Sequence, residues 1–356
     1  FQFKSKLRNE KEEYKISFPN HDAAIDHLME VLKNKKIIDN QKNLLAVGHR
    51  VVQGGNIYSE SVLINEEVER NIEILSSLAP LHNKPELDVI RILRKKFPKV
   101  QNVAVFDTSF HTTMNELATT YAIPKKWRED YAIKRYGAHG TSFRYITNKF
   151  NLIEKRISSN LIICHLGNGA SICAVKNNKS IHTSMGLTPL AGLIMGTRCG
   201  DIDPSIHKYV AKIGNCTIED IDQVLHKESG LLGLSGSSDF RDLLEKRNSN
   251  QLEAILAFDL FVQKIIEYIV TYTNLLENKV DGIIFTAGIG ENTPILLEEI
   301  FKKIFIKEHK VNINKNNESY DDFIKISEPN TPLIYKIRTN EELMIAIDVK
   351  KIVNKK

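Results

Sequence analysis

At 356 residues the chain exceeds a typical single domain, so two domains or lobes are expected. Hydrophobic residues make up 42% and charged residues 26%, an ordinary globular balance, and the net charge of +5 comes from lysines spread along the chain. No dense Lys/Arg block interleaves with aromatics, which argues against a nucleic-acid partner. No apolar run approaches membrane-spanning length, and the opening FQFKSKLRNE is not a signal peptide. The four cysteines, Cys164, Cys173, Cys199 and Cys216, contain no C-x-x-C pair, and two of them lie in apolar strand-like runs. That usage fits a reducing cytoplasm and not a disulfide framework.

In chain order, EYKISF alternates like a strand and DAAIDHLMEVL repeats like a helix. LLAVGHRVV reads as a buried strand, EEVERNIEILSSLA and PELDVIRILRKKF as helices, and NVAVF as a short buried strand ending at Asp107. YGAHGTSF sets a histidine between two glycines ahead of the helical FRYITNKF; locally, Thr141 and Ser142 suit a helix cap and Gly140 a turn into it. NLIICHL and ASICAV are two apolar runs separated by a glycine turn, the pattern of a hairpin. TIEDIDQVLH and AILAFDLFVQKIIEYIVTYTNLLE are helical, DGIIF and PLIYKI are strands, and NEELMIAIDVKKIV is a closing helix. NINKNNESYDD is the most loop-like stretch. Strands alternating with helices predict mixed-sheet α/β lobes, an architecture that by itself specifies no function.

Three glycine-rich turns stand at strand or helix ends: HLGNGAS (165–171), SGSSDFRD (235–242) and TAGIGEN (286–292). Their exposed N–H groups can hold phosphate oxygens. None matches G-x-x-x-x-G-K-[ST], and none carries the third glycine of a dinucleotide fingerprint. Around them stand Arg50 at the end of a buried strand, Arg198 in a glycine-flanked loop near Asp201 and Asp203, Asp107 at a strand end, and Glu341 and Glu342 at a helix start. Singly, each also suits a bland role, a surface or capping contact for the arginines and a helix N-terminus for the glutamates. Together they supply what phosphoryl transfer uses: cations for an anionic substrate, carboxylates for Mg²⁺, and a donor for equatorial phosphoryl oxygens.

GHRVVQGG, FDTSFHTTM, RYGAHGTS, HLGNGASICAV, TSMGLTPLAGLIMGTRCGDIDP, SGSSDFRDL, FTAGIGEN and TNEEL, in this order, resemble the acetate kinase family. The resemblance implies the two-lobed, actin-like ATPase (ribonuclease H-like) α/β fold of the acetate and sugar kinase, Hsp70 and actin superfamily, with mixed sheets flanked by helices. It implies an N-terminal lobe over residues 1–150, a nucleotide-binding lobe over 151–340, and a helix at 341–356 returning to the first lobe. The implied activity is reversible, Mg²⁺-dependent transfer of the ATP γ-phosphoryl group to acetate by direct in-line displacement, with Mn²⁺ as an alternative metal. The implied catalytic groups are Asp107, His139 and Arg198, with Arg50 on the substrate anion and Val52, Leu81 and Pro189 around the methyl group. ATP would lie along His165, Leu166, Gly167, Asn168 and Gly169, along Asp239, Phe240 and Arg241, and along Gly288, Ile289, Gly290, Glu291 and Asn292; Glu341 would hold the metal. A cytoplasmic homodimer with no nucleic-acid or membrane partner completes the expectation.

Several positions depart from the family pattern. The chain opens without methionine and without the N-x-G-S-S-S-x-K-like turn with which the family begins, so residues 1–356 alone are expected to be an impaired kinase. Ala138 stands where the family has phenylalanine, which predicts a relaxed preference toward propionate or butyrate. Gln53 and Phe143 stand at usual histidine positions. The alternatives are a non-catalytic nucleotide-binding remnant and, disfavoured by the absence of H-E-x-x-H or a similar ligand spacing, a metal hydrolase.

Overall fold

The computed structural model describes residues 2–5, 10–13, 16–38, 44–79, 82–304 and 309–354. The strands β1 (Gln2–Ser5) and β2 (Glu10–Glu13) pair antiparallel as a separate ribbon. Then follow α1 (His21–Asn34), β3 (Ala46–Val51), β4 (Val62–Leu63), α2 (Glu66–Leu75), α3 (Asn83–Lys96) and β5 (Gln101–Phe106). A 3-10 turn at Ser109–Thr113 leads through α4 (Glu116–Thr119) and α5 (Lys125–Asp130) to α6 (Gly140–Ile153). The chain continues through β6 (Leu161–Leu166), β7 (Ala170–Lys176), β8 (Lys179–Thr183), α7 (Ser205–Gly214), α8 (Ile218–Lys227), α9 (Gly230–Ser235), α10 (Phe240–Asn248) and α11 (Leu252–Leu275). It closes with β9 (Gly282–Thr286), α12 (Ala287–Asn292), α13 (Pro294–Lys303), α14 (Ile313–Asn317), β10 (Phe323–Lys325), β11 (Leu333–Ile337) and α15 (Glu341–Val353).

Two mixed sheets organise these elements. The smaller has the order β3-β5-β4, with β3 parallel and β4 antiparallel to β5. The larger has the order β10-β11-β9-β6-β7-β8, with a parallel centre of β11, β9 and β6. Every residue of β6 is buried, as a continuous apolar run requires when both faces are covered. Side chains alternate across the strand: Ile162, Cys164 and Leu166 join the core built around α11, and Leu161 and Ile163 join Phe143, Ile146 and Phe150 of α6. Each such fully buried side chain contributes about 1.5–3 kcal/mol, so the sheet is a firm platform for the loops at its ends. α15 crosses β3 closely at Gly48, where a Cβ would overlap the Ile345 side chain.

Expected and observed elements differ in places. Within EYKISF, Glu13 ends β2, residues 16–18 have no regular structure, and Tyr14 and Lys15 lie outside the described residues. NINKNNESYDD contains α14, because the Asn312 side chain accepts the Lys315 N–H at 2.9 Å and starts a short helix. Among the described residues no helix is long and apolar enough to cross a membrane.

Candidate active site

The C-terminal ends of β3 and β5 carry the first charged pair. Asp107, fully buried one residue beyond β5, accepts from Arg50 Nη2 at 2.5 Å and from Thr141 Oγ1 at 2.9 Å. Both carboxylate oxygens are therefore engaged, so Asp107 holds Arg50 and the start of α6 together. Arg50 also lies 3.9 Å from Glu341 at the start of α15. The Asp107 charge raises the Arg50 guanidinium above its ordinary value despite burial. Burial pushes the Glu341 carboxyl up to about 7, with Asp107 adding to the rise and Arg50 opposing it.

His139 stands at the entrance to α6 in the left-handed region, at φ 58° and ψ 19°, and its side chain caps nothing. The expected Thr141/Ser142 cap is absent. Thr141 is committed to Asp107, and Ser142 bridges His165 Nδ1 at 2.9 Å and Thr339 Oγ1 at 2.8 Å. A non-glycine residue at positive φ stores strain that the surroundings must hold. Here His139 Nδ1 meets Ser171 Oγ at 2.8 Å, and the ring stacks on His165 at 4.2 Å between centroids. Burial, then His165, Arg50 and Arg198, hold His139 neutral, well below the ordinary imidazole value.

Gly140 does not make the turn; it permits contact. Its N–H donates to the Asp107 carbonyl at 3.0 Å, and a Cβ there would overlap that same oxygen. Gly140→Ala is therefore expected to lower stability by about 1–3 kcal/mol and to displace Asp107. Urea denaturation with a parallel rate measurement checks this; a variant matching wild type in both would show that the two segments part freely.

Arg198 lies in the loop before α7, where its Nη1 donates to the Pro189 carbonyl at 3.0 Å. Among the described residues no carboxylate pairs with it, and burial pulls its guanidinium below the ordinary value. Asp201 and Asp203, which are near it in sequence, serve the loop: Asp201 accepts from Gly192 N–H at 2.8 Å and from the Tyr268 hydroxyl at 2.6 Å, and Asp203 accepts from Ser205 N–H at 2.8 Å. Neither is offered to a metal in this arrangement. A Cβ on Gly169 would stand 3.5 Å from His139 Nε2 and 3.7 Å from both Arg198 Nη atoms. The glycine of the HLGNGAS turn thus brings the turn, His139 and Arg198 to one point.

Two cavities meet at that turn. One, of about 730 Å³, is lined by Arg50, His139, His165, Gly169, Glu341 and neighbours including Gly167 and Asn168. The other, of about 660 Å³, shares Gly167 and Asn168 and extends along Asp239, Phe240, Arg241, Gly288, Ile289 and Asn292. Three expected nucleotide residues, Leu166, Gly290 and Glu291, line neither cavity. Leu166 is in the core, and Phe240 packs against Phe258 and Phe261. Gly290 seats α12 on β9 and Leu166, and Glu291 Oε1 accepts from Ala287 N–H at 2.8 Å and Thr339 N–H at 3.1 Å. Gly288 faces open space. Arg241 is exposed and paired with Asp239, whose carboxyl this contact holds down at about 2.

Val52 is buried beyond β3, Pro189 faces the Arg198 side through its carbonyl, and Leu81 lies outside the described residues. The structure adds residues that sequence spacing does not reveal. His82 precedes α3, and burial followed by the Arg198 and Arg50 charges lowers its ring. Glu86 accepts the Val52 N–H at 3.0 Å, and Ser142 and Thr339 fix His165. Of these, Ser142 and Thr339 lie in stretches that the motif pattern marks, RYGAHGTS and TNEEL.

The donor set suits a particular kind of metal. Among the described residues no cluster of three or more His, Cys, Asp or Glu could enclose a cation. The Glu341 carboxyl lines the cavity and is raised by burial and then by its neighbour Asp107, so a divalent cation would offset both the burial and the repulsion. A Mg²⁺ ion that keeps waters and takes substrate phosphates fits one or two carboxylates; a fully protein-caged metal does not.

Two sheet-centred lobes with glycine turns around a shared cleft define the fold of the acetate and sugar kinase, Hsp70 and actin superfamily. The acetokinase family model matches residues 1–347, and the chain belongs to that family. It is 47% identical over 340 residues to the acetate kinase of Mycoplasmoides gallisepticum, covering 95% of this chain and 86% of that protein. It is 45% identical over 351 residues to the acetate kinase of Mycoplasma pneumoniae, with 97% and 88% covered. The crystal structure of a propionate kinase from Francisella tularensis superposes with a TM-score of 0.92 at 38% identity, covering 99% of this chain and 89% of that one. That of Porphyromonas gingivalis acetate kinase superposes at 0.90 and 34% identity, with 97% and 88% covered.

Proposed function

We propose that the chain transfers the γ-phosphoryl group of ATP reversibly to a short carboxylic acid, acetate first, giving the acyl phosphate and ADP. The observation that carries the reading is Arg198, a half-buried guanidinium without a carboxylate partner among the described residues, converging with His139 Nε2 on Gly169 where the two cavities meet. An anionic phosphoryl group placed there completes an electrostatic environment the protein leaves unfinished. His139 Nδ1 lies 2.8 Å from Ser171 Oγ; in this reading Ser171 is the donor, which leaves the ring proton on Nε2 beside Gly169, so that a neutral histidine donates to a phosphoryl oxygen. Arg50 receives the acid's carboxylate, and Val52 and Pro189, with Leu81, bound its alkyl end. The burial and double occupancy of Asp107 favour direct transfer over a phosphorylated aspartate. Mg²⁺ bound through Glu341 would neutralise charge on the β- and γ-phosphates.

The lobes at 1–150 and 151–340, with 341–356 returning to the first, belong to this reading, as α15 lies against β3 and α6. So do a homodimer, Mn²⁺ in place of Mg²⁺ and a cytoplasmic location, tested by light scattering, metal substitution and fractionation. Similarity to an acetate kinase and a propionate kinase over nearly the whole chain favours an active enzyme over the impaired one expected from its opening residues. A hydroxamate assay on residues 1–356 with acetate, ATP and Mg²⁺ decides: acyl phosphate must form, and ATP binding without it would leave the non-catalytic reading.

A second reading, preference for longer acids, is favoured by the likeness to a propionate kinase and by the small Ala138. Ala138 is itself buried in the core and its carbonyl accepts from His111 Nε2 at 2.9 Å, so any added room is modest. Propionate kcat/KM is expected within roughly tenfold of acetate's, with butyrate lower, since each methylene is worth about 1–3 kcal/mol. Competing-substrate kinetics check it, and a strong unchanged acetate preference removes the second reading.

A further inference from the structure

Beyond Val51, whose carbonyl takes the Asp107 N–H at 2.9 Å, the chain leaves the small sheet and its backbone loses strand partners. The next groups are served by side chains from the first turn of α3. Val52 N–H donates to Glu86 Oε2 at 3.0 Å, Gln53 N–H donates to Asn83 Oδ1 at 2.9 Å, and Asn83 Nδ2 donates back to the Gln53 carbonyl at 3.0 Å. Residues three apart on a helix share a face, so Asn83 and Glu86 together replace a missing strand. Val52 and Gln53 are nearly inaccessible at 4% and 3%, and Asn83 is at 0%, so these backbone groups depend on the side chains of α3 for partners.

We infer that Glu86, with Asn83, is a positioning residue that clamps the segment from Arg50 to Gln53 and so sets where the carboxylic acid rests. The inference depends on the proposed reading of Arg50 and Val52 as the acid site. Glu86 is a costly choice for a clamp: burial pushes its carboxyl up to about 7, although the Val52 N–H and the Arg50 charge pull the other way. What the carboxyl supplies is reach and an acceptor oxygen, which either protonation state retains. A glutamine amide oxygen retains it as well. Alanine removes it and leaves the buried Val52 N–H without a partner.

The test compares Glu86→Ala and Glu86→Gln in residues 1–356 by steady-state kinetics. Glu86→Ala is expected to raise KM for acetate and propionate about tenfold, one lost hydrogen bond's worth, with kcat and KM for ATP within about twofold of wild type. Glu86→Gln is expected to stay near wild type in all three. The inference is overturned by an unchanged acid KM in Glu86→Ala, by a parallel change in the ATP constants, or by a glutamine variant as impaired as the alanine one. A wild-type chain that forms no acyl phosphate overturns the acid-site reading itself, and this inference with it, a result separate from an active wild type with an unaffected variant.

Discussion

Arg198→Ala lowers kcat roughly 10³-fold, and His139→Ala roughly 10²-fold, with KM for ATP little changed, if both groups stabilise the transferring phosphoryl. The expectation follows from where the charges are left open. Arg50 already has Asp107 and Glu341, whereas among the described residues Arg198 has the Pro189 carbonyl and the Met195 sulfur and no carboxylate. Its guanidinium therefore gains most when phosphoryl charge spreads over oxygens, and least in the ground state. Arg198→Lys should recover little, because a point charge cannot keep the Pro189 contact and also present a planar fork. Both groups flank the Gly169 turn at nearly equal distance, so the double variant should lose less than the product of the single losses. Single-turnover measurements check the chemical step directly; a kcat within tenfold of wild type in both single variants would remove them from the transition state.

The motifs that mark this site are legible because glycine, arginine and aspartate at strand ends have few other uses in such density. Strands such as β6 and β9, and the helix α11, are legible for a different reason: their apolar patterns are long and buried on both or most sides. The entrance to α6 is not. Local capping rules assign Thr141 and Ser142 to the helix end, but the tertiary structure spends their hydroxyls on Asp107 and on the His165–Thr339 bridge, leaving His139 in the left-handed region without a cap. No spacing rule reaches partners this far apart in the chain.

The same limit hides what the first turn of α3 binds, and how the glycine turns divide their residues. Asn83 and Glu86 look like polar residues at an ordinary helix start, and only the exit of β3 shows what they bind. In TAGIGEN, the glycines and the glutamate read as one phosphate loop. The chain instead forms α12 there, so that Gly288 opens to the cleft while Gly290 and Glu291 turn inward to hold β9 and Thr339. A helical turn divides neighbouring residues between opposite faces, and a motif string does not.

Acidification from pH 6.5 to 4.5 is expected to destabilise the protein steeply. Burial pushes His111 and His165 down to about 4, from an ordinary value near 6.5. Burial holds His111 neutral against the opposing pull of the Ala138 carbonyl, which accepts from Nε2–H at 2.9 Å, while Nδ1 meets Ser180 Oγ at 2.8 Å. Burial lowers half-buried His182 to about 4 too, and lowers His139 well below its ordinary value. The unfolded chain takes up these protons below its own value near 6.5 while the folded chain refuses them. Their contribution is therefore complete above pH 6.5 and is lost as pH falls toward 4. For each fully buried ring the loss amounts to about 3 kcal/mol, against a typical total of about 5–15 kcal/mol. Glu86 and Glu341 act in the opposite sense, because carboxyls raised to about 7 bind protons more readily in the folded chain. Two carboxyls offset two histidines and leave the others uncompensated. Urea midpoints across this range should fall with pH, and His111→Gln should flatten the slope by roughly 1.4 kcal/mol per pH unit by removing one refused proton. A slope identical in the variant and the wild type would mean that His111 accepts its proton in the folded chain.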